Sequence, residues 1–189
     1  MDASVLLRPQ TPDDLPAVEA LHADSFGPGR FARTAYRIRE ASRVPPAIAL
    51  TAWNGAALIG AIQFTAISIG GERGAALLGP LAIAAAFKNQ GCGLRLMRDG
   101  LAEAEKLGFE LVLLIGDLPY YQRLGFRVIP HGRIILPGPA DPARFLAAEL
   151  SAEALSRFAG MIAADNAPRV DGTIWRPVDR HIGNNCAPC

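Results

Sequence analysis

The sequence predicts an α/β (α+β) fold, a mixed central sheet flanked by helices, and three observations carry that prediction. Strand-like runs joined by hairpin signals fill residues 48 to 83, a strongly amphipathic helix follows, and a further apolar strand follows the helix. The last three elements make a strand–helix–strand crossover, the mark of a sheet with at least one parallel pair. At 189 residues, half of them hydrophobic, the chain can fill one core of about 150 residues and a modest addition.

The elements follow in order. Val5 to Pro9 reads as a short first strand. Thr11-Pro12-Asp13-Asp14 then supplies a hydroxyl cap, a proline and acids in a first turn, so a helix carrying Leu15, Val18, Leu21 and His22 starts there. Phe26-Gly27-Pro28-Gly29 breaks it, and a second helix is expected from about Arg30 to Ser42, before Pro45-Pro46. Ile48 to Trp53 meets Asn54-Gly55, a tight-hairpin signal. The returning run alternates through Ile62, Phe64 and Ala66, then shifts phase to Ile67 and Ile69, which predicts a β-bulge. Ala75 to Ile83 is apolar almost throughout and suits a strand buried on both faces.

The best helix runs from Gly91 to Leu107. Leu94, Leu96, Met97, Gly100, Leu101, Ala104 and Leu107 fall within an arc of roughly 160°. Gly108 stops it, Glu110 to Ile115 is the next strand, and Asp117-Leu118-Pro119 begins a short helical turn. From about Pro137 the chain reads as an addition. Residues 1–136 are expected to form the main domain and residues 137–189 a C-terminal extension, with a helix from Asp141-Pro142 to about Leu150, a strand at Ile174 and Trp175, and a loose tail from His181.

Charge and cysteine content exclude several functions. Nineteen basic against 18 acidic residues give no electrostatic case for nucleic acid or an anionic membrane. No apolar run approaches the ~20 residues of a spanning helix, and Asp2 stands where an export signal would be basic, so a cytoplasmic location is expected. Three cysteines make no disulfide framework, and Cys186 and Cys189 with His181 and distant Cys92 make a poor zinc set, so no metal is expected.

The chemistry concentrates where the strand ending at Ile83 meets the amphipathic helix. Two glycines, Gly91 and Gly93, open that helix, and a helix N-terminus with backbone N–H groups exposed favours an anion such as a pyrophosphate. No Gly-Lys-Ser/Thr follows, which removes a P-loop; Leu96 stands where a dinucleotide fingerprint needs its third glycine. Leu81-Ala82-Ile83 followed by Lys88-Asn89-Gln90-Gly91-Cys92-Gly93 resembles the acetyl-CoA loop of the GNAT N-acetyltransferases, written Gln/Arg-x-x-Gly-x-Gly/Ala. Tyr121-Gln122-Arg123-Leu124-Gly125-Phe126 is similar to the Tyr-x-x-x-Gly-Phe element that closes the same domain. Gly116-Asp117-x-Pro119-Tyr120-Tyr121 and Gly138 to Leu146 resemble a bacterial, YhbS-like branch of that family.

The resemblance implies a GNAT fold of about six to seven strands and an acyltransferase that moves an acetyl group from acetyl-CoA to a primary amine by direct attack on the thioester. It implies that pantetheine pairs with Leu81, Ala82 and Ile83. The pyrophosphate would lie on Lys88, Asn89, Gln90, Gly91, Cys92, Gly93 and Leu94, and Tyr121, with an ordinary pKa near ~10, would protonate the leaving thiolate. An acceptor groove would involve Arg30, Arg33 and Tyr120, although Arg30, Arg33 and Arg37 equally read as a solvated helix face. Tyr121 has a plain alternative as packing on Phe126, and His22 reads as structural. Lys88 and Asn89 depart from the family pattern. Lys88 keeps a cation for the phosphates, and Asn89 tolerates a left-handed backbone better than most residues. Ala75 to Ile83 holds no carboxylate to serve as a base. A non-catalytic acyl-CoA-binding or regulatory module, or a transferase of longer acyl groups, fits the same residues. A homodimer through paired edge strands stays open.

Overall fold

The computed structural model describes residues 5–167. In chain order it has β1 (Leu6–Pro9), α1 (Leu15–Phe26), α2 (Thr34–Glu40), β2 (Ile48–Asn54), β3 (Ala57–Ile69) and β4 (Glu72–Ile83). Next come α3 (Cys92–Lys106), β5 (Leu111–Ile115), α4 (Leu118–Tyr121), β6 (Arg127–Val128), β7 (Ile134–Ile135), β8 (Phe145–Glu149), α5 (Ala154–Arg157) and β9 (Gly160–Ala164). Among the described residues these nine strands make one sheet, ordered β1-β2-β3-β4-β5-β8-β6, with β9 joining β3 to β7. That exceeds the six to seven expected. Pairing is antiparallel except between β4 and β5 and between β7 and β9, so the predicted mixed α/β sheet is present. No described helix is long and apolar enough to cross a membrane.

Helix α3 covers one face of the sheet. Its Leu96, Met97 and Ala104 are buried against Ile62, Phe64 and Val112, the arc that the heptad-like spacing marked out. Gly100 lies over the Phe64 ring so closely that a Cβ there would sit 2.7 Å from Cζ. The other face is covered by α1, through Val18 and Leu21 on Ala61 and Ala82, and by α2, through Ile38 on Ile67 and Leu77. Arg8 joins β1 to the start of α1 by donating to both carboxylate oxygens of Asp14, at 2.6 and 2.7 Å. Asp14 also accepts from the Thr11 N–H at 2.7 Å, and the guanidinium beside it holds its carboxyl below the usual range.

The phase change in β3 has a different origin from a bulge. Phe64, Thr65, Ala66 and Ile67 pair with Leu78, Leu77, Ala76 and Ala75 without interruption; the register shifts lie on either side, at 62/64 and 67/69. Even positions, Ile62 and Phe64, meet α3 throughout. Odd positions face α1 and α2, and there Ala61 is covered by α1 and Ile67 and Ile69 belong to the cluster holding Ile38 of α2. Between them Gln63 and Thr65 floor a cavity. The strand keeps its alternation, and the polar pair marks the gap between two covering elements.

Two further expectations change. The second helix splits into a 3₁₀ turn over Pro28–Ala32 and α2, because Arg33 between them is extended (φ −74°, ψ 138°). Buried Thr34 donates its hydroxyl to Pro139 O at 2.7 Å, which fixes that start. The helix expected from Asp141 to Leu150 is instead one 3₁₀ turn, Pro142–Arg144, followed by strand β8. Asp141 accepts from Ala143 N–H at 2.9 Å and closes the turn. Phe145, Leu146, Ala147 and Ala148 are then buried between β5 and β6. A four-residue apolar run looks alike in a buried strand and a buried helix, and the free edge of β5 decides it. Ile174, Trp175, the tail from His181 and the Cys186/Cys189 pair lie outside the described residues.

Candidate active site

The site begins where β4 and β5 part. They pair in parallel at Ala75–Leu77 with Leu111–Leu113 and no further. Between Phe64↔Leu78 and Ile62↔Leu81, β4 spends three residues against two of β3, so the extra residue falls at Gly79 and Pro80. Proline has no N–H for a ladder and is accommodated at such a bulge. Beyond it Leu81, Ala82 and Ile83 pair with Ile62, Ala61 and Gly60 of β3, and their other edge has no strand partner among the described residues. An extended ligand can hydrogen-bond to a free strand edge as a further strand would.

The N-terminus of α3 opens onto that gap. The first backbone bond of the helix is Arg95 N–H to Gly91 O at 3.0 Å, so the N–H groups of Cys92, Gly93 and Leu94 have no acceptor in the helix, and no side chain caps them. Asn89 and Gly91 both take left-handed backbone, φ +62° and +80°. Asn89 thus adopts the geometry that its residue type tolerates. Such turns aim successive N–H groups into one concavity, where an anion is favoured. Lys88 is exposed beside the loop, and Gln90 braces it by donating from Nε2 to Ala86 O at 2.9 Å. Cys92 is buried, and burial pushes its thiol up to about 11, against the acidic thiol that a helix start alone would give.

The two tyrosines of α4 form the opposite wall. The Tyr120 hydroxyl lies 2.5 Å from where a Cβ on Gly93 would sit, with Ile83 on the other side of the same point. It therefore spans from α4 to the start of α3 and is 40% exposed. Tyr121 lies against Gly116, leaving no room for a side chain there, and packs edge-on to Tyr120 and Phe126, with ring centroids at 5.1 and 5.8 Å. Its pKa is not ordinary: burial first, then Tyr120 and Asp117, push it up to about 12. The phenol is protonated throughout the physiological range.

On the other face, a cavity of about 260 Å³ lies between α1, α2 and the middle of β3, walled by Pro80 of the bulge. Its lining is mixed: His22, Tyr36, Arg39, Gln63 and Thr65 bring polar groups, beside Phe31 and Val44, and Glu19 and Glu40 also line it. Arg30 and Arg33 lie outside the lining. Arg30 folds back onto Gly27 O at 3.0 Å with its guanidinium over Phe31, and Arg33 lies over Phe26. Arg39 is the arginine that reaches the cavity. His22 is 3% exposed, and its buried Nε2 has no hydrogen-bond partner. Sequence reasoning read His22 as structural and did not single out Arg39. The available signal was a histidine beside Leu21 on the covered face of α1, and an arginine three positions after an aromatic.

Burial, then Arg39 and Arg30, push the His22 imidazole down to about 4, so it is neutral in the folded protein at neutral pH. An unfolded chain takes up that proton near ~6.5. The stability this gives is therefore complete above about pH 6.5 and is lost as pH falls towards about 4. In urea unfolding at pH 7 and 4.5, the stability advantage of wild type over His22→Asn should shrink by roughly 2 kcal/mol at the lower pH. An unchanged difference would remove the buried neutral imidazole. Among the described residues, no group of three or more His, Cys, Asp or Glu side chains is arranged to hold a metal.

The layout is a splayed parallel pair facing an uncapped helix start, and the chain that carries it matches the acetyltransferase (GNAT) family. Residues 15–126 match the model of that family, and the chain belongs to it; its class is acyltransferase. Over 159 residues it is 26% identical to the uncharacterized N-acetyltransferase YhbS of Escherichia coli K12, covering 84% of this chain and 95% of YhbS. The crystal structure of E. coli YhbS in complex with CoA matches with a TM-score of 0.76 at 25% identity, over 87% of this chain and 92% of that one. A GNAT acetyltransferase from Brucella melitensis in complex with acetyl-CoA matches with a TM-score of 0.59 at 29% identity, over 77% and 96%.

Proposed function

We propose that the protein is an acetyl-CoA-dependent N-acetyltransferase acting on a primary amine. The observation that carries this reading is the juxtaposition at Gly79 and Pro80: an open strand edge and uncapped helix start on one side, a cavity on the other. The free edge of Leu81, Ala82 and Ile83 would hold the pantetheine amides. The N–H groups from Asn89 to Leu94, with the Lys88 ammonium, would hold the pyrophosphate. Binding of CoA by YhbS and of acetyl-CoA by the Brucella protein supports that assignment.

The amine would approach past Pro80 from the cavity. Its nitrogen lone pair attacks the thioester carbonyl, the C–N bond forms, and the C–S bond breaks as the oxyanion collapses. A backbone N–H of β4 near Ile83 would stabilise that oxyanion. Tyr121 would donate its proton to the departing thiolate, and the proton lost by the amine would leave through water. An ordinary phenol loses its proton near ~10; one held up to about 12 is a reliable donor at neutral pH. Tyr120, over the start of α3, would bound the channel.

Calorimetric titration with acetyl-CoA, with ATP and NAD as controls, tests the reading. Selective micromolar binding is expected, weakened about tenfold or more by Lys88→Glu through charge reversal at the phosphates. Absence of acetyl-CoA binding by wild type would overturn it.

A further inference from the structure

The cavity under α1 and α2 has the guanidinium of Arg39 in its wall. Arg39 stacks over the Tyr36 ring at 4.1 Å, and its Nη1 reaches within 3.7 Å of where a Cβ on Gly79 would sit, beside the bulge. Three arginines elsewhere show the ion pair a guanidinium can make: Arg8 with Asp14, Arg73 with Asp165, and Arg144 with Asp117. Arg39 has no carboxylate within 4.0 Å among the described residues. Glu40, its neighbour, is exposed, and Glu19 lies 3.9 Å from Arg30 with two thirds of its side chain exposed. Burial lowers the Arg39 pKa to about 10, opposed in part by Tyr36 and by the Glu40 carboxylate.

A half-buried guanidinium with no carboxylate close by and a buried imidazole nitrogen without a partner among the described residues both face the same small space, and an unmet buried polar atom is costly to keep. A ligand that satisfies both must bring a planar oxyanion for the guanidinium fork and a hydrogen-bonding group for His22 Nε2. Its size is bounded too, because about 260 Å³ is below the usual range for drug-sized ligands. Its amine must lie near Pro80, where the cavity meets the open edge of β4.

We infer that the acceptor is a small amine of amino-acid size carrying a carboxylate, with Arg39 holding the carboxylate and His22 Nε2 hydrogen-bonding to the ligand. The inference rests on the transferase reading for the fate of the amine, but the recognition step stands apart from turnover. With an acid bound, the arginine in the wall gains a carboxylate at ion-pair distance.

The test is binding, so that it does not depend on catalysis. Protein saturated with CoA is titrated with the proteinogenic amino acids and with β-alanine, each against its own carboxamide. At least one acid should bind about tenfold or more tightly than its amide, the discrimination expected of one charge-assisted pair. Arg39→Gln should reduce that ratio to about one, with Arg39→Lys in between. Circular dichroism and retained acetyl-CoA binding establish that the variants fold. Acids binding no better than amides across the panel, no binding by any member, or an unchanged ratio in Arg39→Gln would each overturn the inference. Loss of acetyl-CoA binding by wild type would instead count against the transferase reading, and tight acid binding without turnover would leave this inference standing.

Discussion

Replacing Tyr121 with phenylalanine should lower kcat a hundredfold or more while acetyl-CoA affinity stays within about threefold, once an accepted amine is in hand. General acid catalysis contributes about 10²–10⁴ to a rate, and an unprotonated thiolate is a poor leaving group at neutral pH. The substitution keeps the ring, so packing on Gly116 and against Phe126 is unchanged and the fold is not at stake. A second signature separates acid catalysis from positioning. Because the phenol is held up to about 12, the wild-type rate should show no loss from this group as pH rises through 10, where an ordinary tyrosine would begin to fail. Tyr120→Phe is the comparison, since that hydroxyl contacts the start of α3. Full activity in Tyr121→Phe with loss in Tyr120→Phe would transfer the role to Tyr120.

The largest stability effect should come from Gly100→Val, which is expected to cost about 3 kcal/mol or more and leave little folded protein at 37 °C. Elsewhere in an exposed helix, replacing glycine with alanine would gain about 1 kcal/mol of helix propensity. Here the new Cβ enters the ring of Phe64, a side chain with no exposed surface, in a core that has no slack. Gly100→Ala should cost about 1–3 kcal/mol, and pairing it with Phe64→Leu should recover part of the loss. Urea unfolding of the two singles and the double measures the coupling. Additive losses would mean that the helix and ring do not meet as described.

These two cases also mark what a sequence can disclose. Helix α3 and its loop were legible because an amphipathic helix repeats its pattern over four turns, and because glycines at its mouth have few other uses. Tyr121 was legible through a motif local in sequence, although its raised pKa was not, since that depends on burial contributed by neighbours such as Tyr120 and Gly116. Strand β8 was misread because Phe145 to Ala148 carries no periodicity and its partner, β5, lies some thirty residues back. The β3 phase change was read as a bulge because Gln63 and Thr65 interrupt an apolar face, and the gap above them forms only when α1 and α2 pack side by side. Arg39 was hidden among five arginines between residues 30 and 43. Moving the helix start from Arg30 to Thr34 removes the supposed arginine face and leaves Arg39 turned toward the sheet.

The placement of β8 between β5 and β6 bears on how the chain is made. A ribosome releases β1 to β5 first, and until residues 145–149 emerge, β5 presents a bare, wholly apolar edge. The end of β3 that extends past β2, Ile67 to Ile69, likewise waits for β9, nearly a hundred residues later. The sheet closes from its last-made strands inward, so the nascent protein passes through an interval in which two hydrophobic edges are open to other chains. Chaperone occupancy during synthesis should be concentrated in that interval and should end when β8 docks.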